Sequence, residues 1–438
     1  MKNFRKMAIL LLIGVAGVYS CAEGERFAIS SDDTTAPAAP VFDTVHRLAG
    51  GGRIFYKLPA DRDLLSIEAS FTATNGKVIK SAASFLAPYL DVYGLPDTLE
   101  HTVQLYAVDM AGNKSASVPV KVKPEEPAFS KVAEKVVVKP AFGALVVDWE
   151  NDLGHNVTVL VDFSFSENGT RRSLRQVYSS RAPVERYFIN DLAAQVPIDV
   201  QIAVEDLYGN RKAVKDTTLT PLLDEPLDKS KWALPEPGVI IGTKVMGNGE
   251  SWGHKTKDVC DGYIDYVSPT GSEGNCAYYD GGFLVNGVAV NTFPWQIFID
   301  LGAKYKLSRI VTHQFWNATA GTGTSNPASP GNFYGNWNVM TYNMYWWDGA
   351  DATIDAAIND VSGEWKLIRQ VQIPTPPAAM ATMDKIKQAL AGDEALMFLD
   401  PDYTPATRFF RYEPVVDFAN QARPNALSEI TLYGIKAP

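Results

Sequence analysis

A chain of 438 residues with 46% hydrophobic and 21% charged composition lies inside the globular range and has length for roughly two to four domains, which excludes wholesale disorder. The net charge of −10 and the sequence pI near 5.1 come with no long run of Lys or Arg, so nothing offers a phosphate backbone an electrostatic footprint and nucleic acid is not an expected partner. Two common catalytic signatures are missing, since there is no His-Glu-x-x-His and no phosphate loop, and the five His stand scattered at 46, 101, 155, 254 and 313. A paired-carboxylate glycosidase remains open on 50 acidic residues, but the modules below leave little chain for a catalytic domain, and the protein is read as not an enzyme.

Lys2, Arg5 and Lys6 precede "MAILLLIGVAGV", an apolar run too short for a permanent span, so residues 1–20 are read as a secretory signal. The run ends in "VYSC", which resembles a bacterial lipobox. That resemblance implies cleavage before Cys21 and lipidation of its thiol, against an ordinary signal with an incidental Cys. Residues 21–38, polar and rich in Pro and small residues, read as a tether. Glu23 and Glu25 just after the lipid site are similar to the surface-export signal of Bacteroidetes lipoproteins, which implies a lipid anchor in the outer membrane and an outward-facing protein.

The next segment contains a repeat. "VQLYAVDMAGNKSA" at 103–116 returns as "VQIAVEDLYGNRKA" at 200–213, an offset of 97 residues that pairs Asp109 with Asp206, Gly112 with Gly209 and Asn113 with Asn210. Val103, Leu105 and Ala107 alternate with polar neighbours, as do Val200, Ile202 and Val204, so each copy is a strand running into an Asp-x-x-Gly-Asn turn. Upstream, "GGRIFYKLP" and "FGALVVDWEN" alternate too, with Leu145, Val147 and Trp149 on one face. Repetition at about 100 residues from short alternating strands points to two immunoglobulin-like sandwiches, 39–124 and 125–223. "GALVVDWEN" followed by "RYFINDLAAQVPIDVQIAVEDLYGN" resembles fibronectin type III order, with Leu58 where Trp149 falls in the second copy. That resemblance implies spacer or protein-contact modules rather than chemistry.

Pro226, Pro235 and Pro237 interrupt "LLDEPLDKSKWALPEPG", so residues 224–239 read as a linker. From 240 to 438 the character changes: eight of the nine Trp fall from Trp232 onward, amid long Gly, Asn and Ser loops. In "YNMYWWDG" the alternation sets Tyr342, Met344 and Trp346 on one strand face and Asn343, Tyr345 and Trp347 on the other. Trp316, Phe333, Tyr334 and Trp337 instead sit in or beside Gly- and Asn-rich loops, where exposed rings suit the C–H face of a sugar while amides and hydroxyls bind its hydroxyls; burial in a core is the competing reading. Cys260 and Cys276 are an even pair in an exported chain, read as a disulfide or as two buried thiols. "TMDKIKQALAGDEALMF", 382–398, has helical spacing at Met383, Ile386, Ala389 and Leu390.

"FPWQIFIDLGAKYKLSRIVTHQFWN", "YNMYWWDGADATIDAAINDVSGEWKLIRQVQI", "RFFRYEPVVDF" and "LSEITLYG" follow an order that resembles the discoidin, or factor V/VIII type C, family of galactose-binding-like domains over about 240–436. The resemblance implies a jelly-roll sandwich, making the whole chain all-β, with the helix at 382–398 an insertion. It also implies a structural calcium held by Asp261 and Glu429, with Asp265 beside them, although "YIDYVSPTGSEGNCAYYDGG" intrudes where the family has a short Asn, Thr and Trp run. Sugar contacts in that family come from loops at one end, which places Trp252, His254, Tyr278, Tyr279, Trp316, Trp337 and Asn338 as ligand-binding candidates; His313, inside a predicted strand, reads as a core histidine. The layout resembles Bacteroidetes surface lipoproteins linked to polysaccharide utilisation. The expected function is non-catalytic capture of glycan at the outer membrane, with a surface transport complex as a further partner. The alternative is a protein-contact or adhesion lipoprotein that docks a transporter, an enzyme or a host protein.

Overall fold

The computed structural model describes residues 33–235, 256–264, 296–315, 333–335, 338–350, 353–360, 362–421 and 426–438, and the backbone alone at 240–241, 244–245, 277–278, 284–285 and 288–289. Two compact units emerge, one of residues 1–139, 146–189 and 197–219, the other of 140–145, 190–196 and 220–438. Strands dominate both, so the chain is all-β as expected. Residues 1–20, expected as a signal, and Cys21 lie outside the described residues, and no helix among those described is long and apolar enough to cross a membrane.

In the first unit, strands β1 (Val41–Leu48), β2 (Gly51–Lys57) and β5 (Tyr89–Tyr93) form a sheet ordered β1-β2-β5. It faces a sheet ordered β4-β3-β6-β7, made from β3 (Leu64–Thr72), β4 (Val78–Ser84), β6 (His101–Asp109) and β7 (Val118–Val122). One core joins Ile54, Leu90 and Val92 to Ile67, Val103, Leu105 and Ala107. The alternation read from the sequence therefore has its physical cause: the inward face of each strand is dry and the outward face is wet.

A second sandwich repeats this plan. One sheet is ordered β12-β9-β8, from β8 (Val137–Ala141), β9 (Ala144–Glu150) and β12 (Val184–Ile189). The other is ordered β11-β10-β13-β14, from β10 (Val157–Glu167), β11 (Thr170–Ser180), β13 (Ile198–Asp206) and β14 (Arg211–Leu219). Trp149 is buried and stacks on Tyr187 with ring centroids 5.4 Å apart. Its counterpart in the first copy is Tyr56, sixth in β2 as Trp149 is sixth in β9 and likewise buried; Leu58, past the strand end, is exposed.

Between the sandwiches runs a helix that strand periodicity did not predict, α1 (Ala128–Lys135). It follows Pro127 and buries Ala128, Phe129, Val132 and Ala133 against β13 and β14. Phe129, Val132 and Ala133 have the i, i+3, i+4 spacing of one helical face, but over eight residues that signal is faint.

The second unit is built on one seven-stranded sheet. Its strands are β15 (Glu225–Pro226), β16 (Ile297–His313), β17 (Val339–Trp347), β18 (Trp365–Gln372), β19 (Asp393–Leu396), β20 (Thr407–Asp417) and β21 (Glu429–Lys436). The order is β15-β21-β16-β20-β17-β18, with β19 paired to β16. The long β16 pairs β20 through Ile297–Asp300 and β21 through Tyr305–His313, and it changes partner around Gly302, whose φ of 77° is open to glycine.

Residues 224–239, expected as a linker, depart from that expectation. Glu225 and Pro226 pair with Gly434 and Tyr433, Asp224 accepts from Ser308 and Arg309, and Ala233 bridges Asp300. The described part of this stretch, residues 224–235, belongs to the third sandwich because its backbone has edge partners in β21. Both faces of β17 are covered: Tyr342 and Met344 lie in the main core, whereas Trp347 joins Phe298, Trp365 and Phe409 on the other side.

The expected helix is present as α3 (Thr382–Ala391), following the short α2 (Ile354–Ile358). It buries Ile386 and Ala389, but Met383, expected on that face, is 61% exposed.

Candidate functional site

The expected binding residues Trp252, His254, Tyr279, Trp316 and Trp337 lie outside the described residues, as do Asp265 and Cys276, and Tyr278 is described by its backbone alone. The described ends of the stretches that carry them meet at one place in the second unit. Asn338 is fully buried, and its Nδ2 donates to the carbonyl of Phe315 at 2.7 Å, tying the two ends of the aromatic stretch together. Its backbone bridges Ala426, and Ala426 pairs with Tyr278. Ser428 donates its N–H to the His313 carbonyl at 3.0 Å. Asn338 is thus a clamp between the residues that flank 316–337, and its amide is committed to the backbone.

Asp261 and Glu429 come together at the same end. Glu429 is 1% exposed, and its Oε1 accepts from the N–H of Gly262 at 3.1 Å and from the ammonium of Lys229. Lys229 also donates to Thr431 Oγ1 at 2.8 Å. Oε2 of Glu429 is buried with no hydrogen-bond partner. Burial pushes the Glu429 carboxyl up to about 7 even though Lys229 and Gly262 pull the other way. Burial also raises Asp261, whose Oδ1 accepts from the Tyr263 N–H. His313, in register with Glu429 on the neighbouring strand, is held down to about 4, first by burial and then by the Lys229 charge; its Nδ1 is buried without a partner.

The calcium expectation meets this geometry halfway. Two carboxylates, one with a buried oxygen that no donor satisfies, suit a hard cation. The other Glu429 oxygen, however, already holds an ammonium, so a divalent ion there competes with Lys229 for the same charge. Neither Lys229 nor His313 was among the expected site residues. The Lys229 contact spans 200 residues of sequence and leaves no local signal.

A buried polar network continues from the site. Asp393 accepts from Gln314 Nε2 at 2.9 Å and from the Tyr334 hydroxyl at 3.2 Å, and burial raises its carboxyl. Tyr334, expected as a loop ring, is buried, with its ring edge-on to Phe418 at 5.2 Å. Cys260 carries a free thiol with its Sγ 3.1 Å from the Lys257 carbonyl, and burial pushes the thiol up to about 12. The partner in its expected disulfide, Cys276, lies outside the described residues. Among the described residues one further group of acids gathers within 4.8 Å, Asp33, Asp63 and Asp109, in the first unit. The Asp109 oxygens there are already held by the backbone N–H and the side-chain amide of Asn113.

Three family models match the sequence, each described as a domain of unknown function: DUF4959 over residues 37–124, DUF5126 over 125–230 and DUF5000 over 277–434. No curated protein matches. Among solved structures, the chain is similar to a SusE-like protein at 18% identity and a TM-score of 0.36, covering 71% of this chain and all of that one. It is similar to the C-terminal domain of a chitobiase from Bacteroides fragilis at 14% identity and a TM-score of 0.26, covering 49% of this chain and all of that domain. A two-domain fibronectin type III segment of chicken tenascin gives 13% identity and a TM-score of 0.19 over 42% of this chain and 99% of that segment.

Proposed function

We propose that this protein is a non-catalytic, lipid-anchored surface protein of the outer membrane that captures glycan with loops at one end of its third sandwich. One observation carries the reading. The ends of the stretches bearing Tyr279, Trp316 and Trp337 are pinned to one another through Asn338, Phe315, Ala426 and Tyr278, on a base that Glu429 and Lys229 knit together. A fixed base joining the ends of these aromatic-rich stretches supports stacking on sugar rings, because less conformational entropy is left to lose when a ligand arrives. Calcium at Glu429 and Asp261, with Asp265, is part of the proposal as a stiffener of that base. So is lipidation at Cys21, with the fibronectin-like modules as spacers and a surface transport complex as the receiver of the captured glycan.

The test is retention. Affinity electrophoresis of the protein on plant, host and algal polysaccharides, with and without calcium, is expected to slow it on one polysaccharide class, and Trp337→Ala or Trp316→Ala to restore its mobility without unfolding it. Folded protein that moves freely through every polysaccharide would end the glycan reading. The protein-contact alternative would then lead, since the edge strand β11 leaves Leu174 51% and Val177 54% exposed along eleven residues.

A further inference from the structure

Within the first unit a cleft of about 310 Å³ opens where the two sandwiches join. Its volume is at the lower end of the range of small-molecule sites. Tyr93 at the end of β5, His155 and Asn156 before β10, Arg181 after β11, and Leu207 and Tyr208 of the repeated turn are among its lining residues. We propose that this cleft binds a carboxylated pyranose, a uronic-acid unit, with Arg181 on the carboxylate and the rings of Tyr93 and Tyr208 against the sugar's C–H faces.

The walls are fixed. Asn210 Nδ2 donates to the Gly94 carbonyl at 2.9 Å, and Asn75 Nδ2 donates to the Tyr208 carbonyl at 3.1 Å. The Tyr208 ring lies where a side chain on residue 94 would be: a Cβ there would meet it at 2.6 Å, and the φ of 101° suits glycine. The ring of Tyr93 meets that of His155 edge-on at 5.8 Å. A cleft held this way costs little ordering on binding.

The lining selects the ligand class. Tyr93 and Tyr208 are half-buried, so each keeps ring surface in contact with solvent, and Leu207 is 67% exposed. Half-exposed rings flanked by an amide and an imidazole are the surface a sugar ring uses, apolar on its faces and polar at its edges. Charge narrows the choice. Asp206 is consumed by its own turn, with Oδ1 accepting from the N–H groups of Tyr208 and Asn210 and Oδ2 from Asn210 Nδ2, each at 2.9 Å. Arg181 is exposed and makes no ion pair among the described residues. A guanidinium with its five donors uncommitted pairs best with a carboxylate through two parallel hydrogen bonds. A neutral sugar satisfies the rings and leaves the Arg unused.

None of these residues belongs to the third sandwich, so the inference does not depend on glycan capture there. Titration calorimetry on the full chain, with trimers of galacturonate, glucuronate and mannuronate and with neutral galactose and glucose trimers, tests it. One uronate trimer is expected to bind at least about tenfold more tightly than any neutral trimer. Arg181→Gln is expected to weaken it by about tenfold and Arg181→Lys by less, with thermal unfolding unchanged because Arg181 is exposed and unpaired. Binding should persist in Trp337→Ala. Failure of every uronate trimer to bind folded protein, or uronate binding that survives Arg181→Gln, overturns the proposal. Uronate binding lost in Trp337→Ala but kept in Arg181→Gln assigns the acidic sugar to the third sandwich instead, and overturns it equally.

Discussion

Asn210 reaches back 116 residues to hold the Gly94 carbonyl, and Asn113, its twin in the repeat, holds the Asp33 carbonyl at 2.9 Å in the same way. In each copy Asp109 or Asp206 caps the turn through Oδ1 to the Asn backbone N–H, while Oδ2 accepts one proton of the Asn amide, which leaves the second proton for the preceding segment. Gly112 and Gly209, at φ of 90° and 85°, let the turn close. The duplicated turn is therefore a latch: each module uses it to grip whatever comes before it in the chain.

The two latches should differ in strength. Asn210 is 2% exposed, so Asn210→Ala leaves a buried carbonyl and a carboxylate oxygen short of donors and should cost about 2 kcal/mol; Asn113 is half-buried, and its loss should cost about 1 kcal/mol. Urea unfolding followed by far-ultraviolet circular dichroism, which reads the strands of both sandwiches, checks the order. Equal costs would show that the grip on Gly94 adds nothing to the turn itself.

The same frame predicts the effect of Gly94→Ala. A Cβ there collides with the Tyr208 ring and sits at a φ that side chains seldom adopt. A loss of about 2–3 kcal/mol is expected. Tyr208→Ala combined with Gly94→Ala should cost less than the sum of the single changes, because removing the ring relieves the clash but not the backbone strain. Additive losses in a double-mutant cycle would place the cost in the backbone alone.

How much of this was legible depended on how local each cause was. Val103, Leu105 and Ala107 announce their strand because one buried face imposes a period of two. The Asp-x-x-Gly-Asn turns were visible as a repeat, but their grip on Gly94 and Asp33 was not, since a hydrogen bond over 116 residues has no sequence period. Residues 224–239 looked like a linker because a two-residue strand has no alternation to read; only its partners Gly434 and Tyr433 make it one. Asp261 and Glu429 were found through the order of segments that resembles the discoidin family. Lys229, which completes that cluster, was hidden inside the supposed linker.

His313 makes stability depend on pH with a definite sign. Its folded value near 4 lies below the usual 6.5, so the unfolded chain takes up a proton that the folded chain refuses. The contribution is present above about pH 6.5 and is lost as pH falls toward 4, by up to about 3 kcal/mol. Glu429, raised to about 7, acts in the opposite sense over part of that window, with stability falling as pH rises from about 4.5 to 7. The comparison must therefore be between the native chain and His313→Gln. Denaturant midpoints from pH 7 to 4.5 should fall less steeply in His313→Gln than in the native chain; identical slopes would mean that folding leaves the imidazole pKa unshifted, and a shallower fall in the native chain would mean that the imidazole is protonated and paired when folded.

Calcium and Lys229 should be interchangeable in part. Removing the ammonium with Lys229→Met leaves the Glu429 carboxylate buried beside Asp261 with only the Gly262 N–H for support, at a cost of about 3–5 kcal/mol above pH 7. Because the raised Glu429 carboxyl can take up a proton instead, that cost should shrink as pH falls below 7. A divalent hard cation can restore the missing charge through the two carboxylates, so millimolar calcium should raise the melting temperature of Lys229→Met more than that of the native chain, and chelator should reverse the gain. Melting curves of both proteins with calcium, magnesium and chelator decide the matter. If calcium stabilises the native chain as strongly as the variant, the ion does not compete with Lys229 and must bind away from Glu429 Oε1. If it stabilises neither, Lys229 is the resident cation of this site and the calcium expected from the resemblance has been replaced by a side chain.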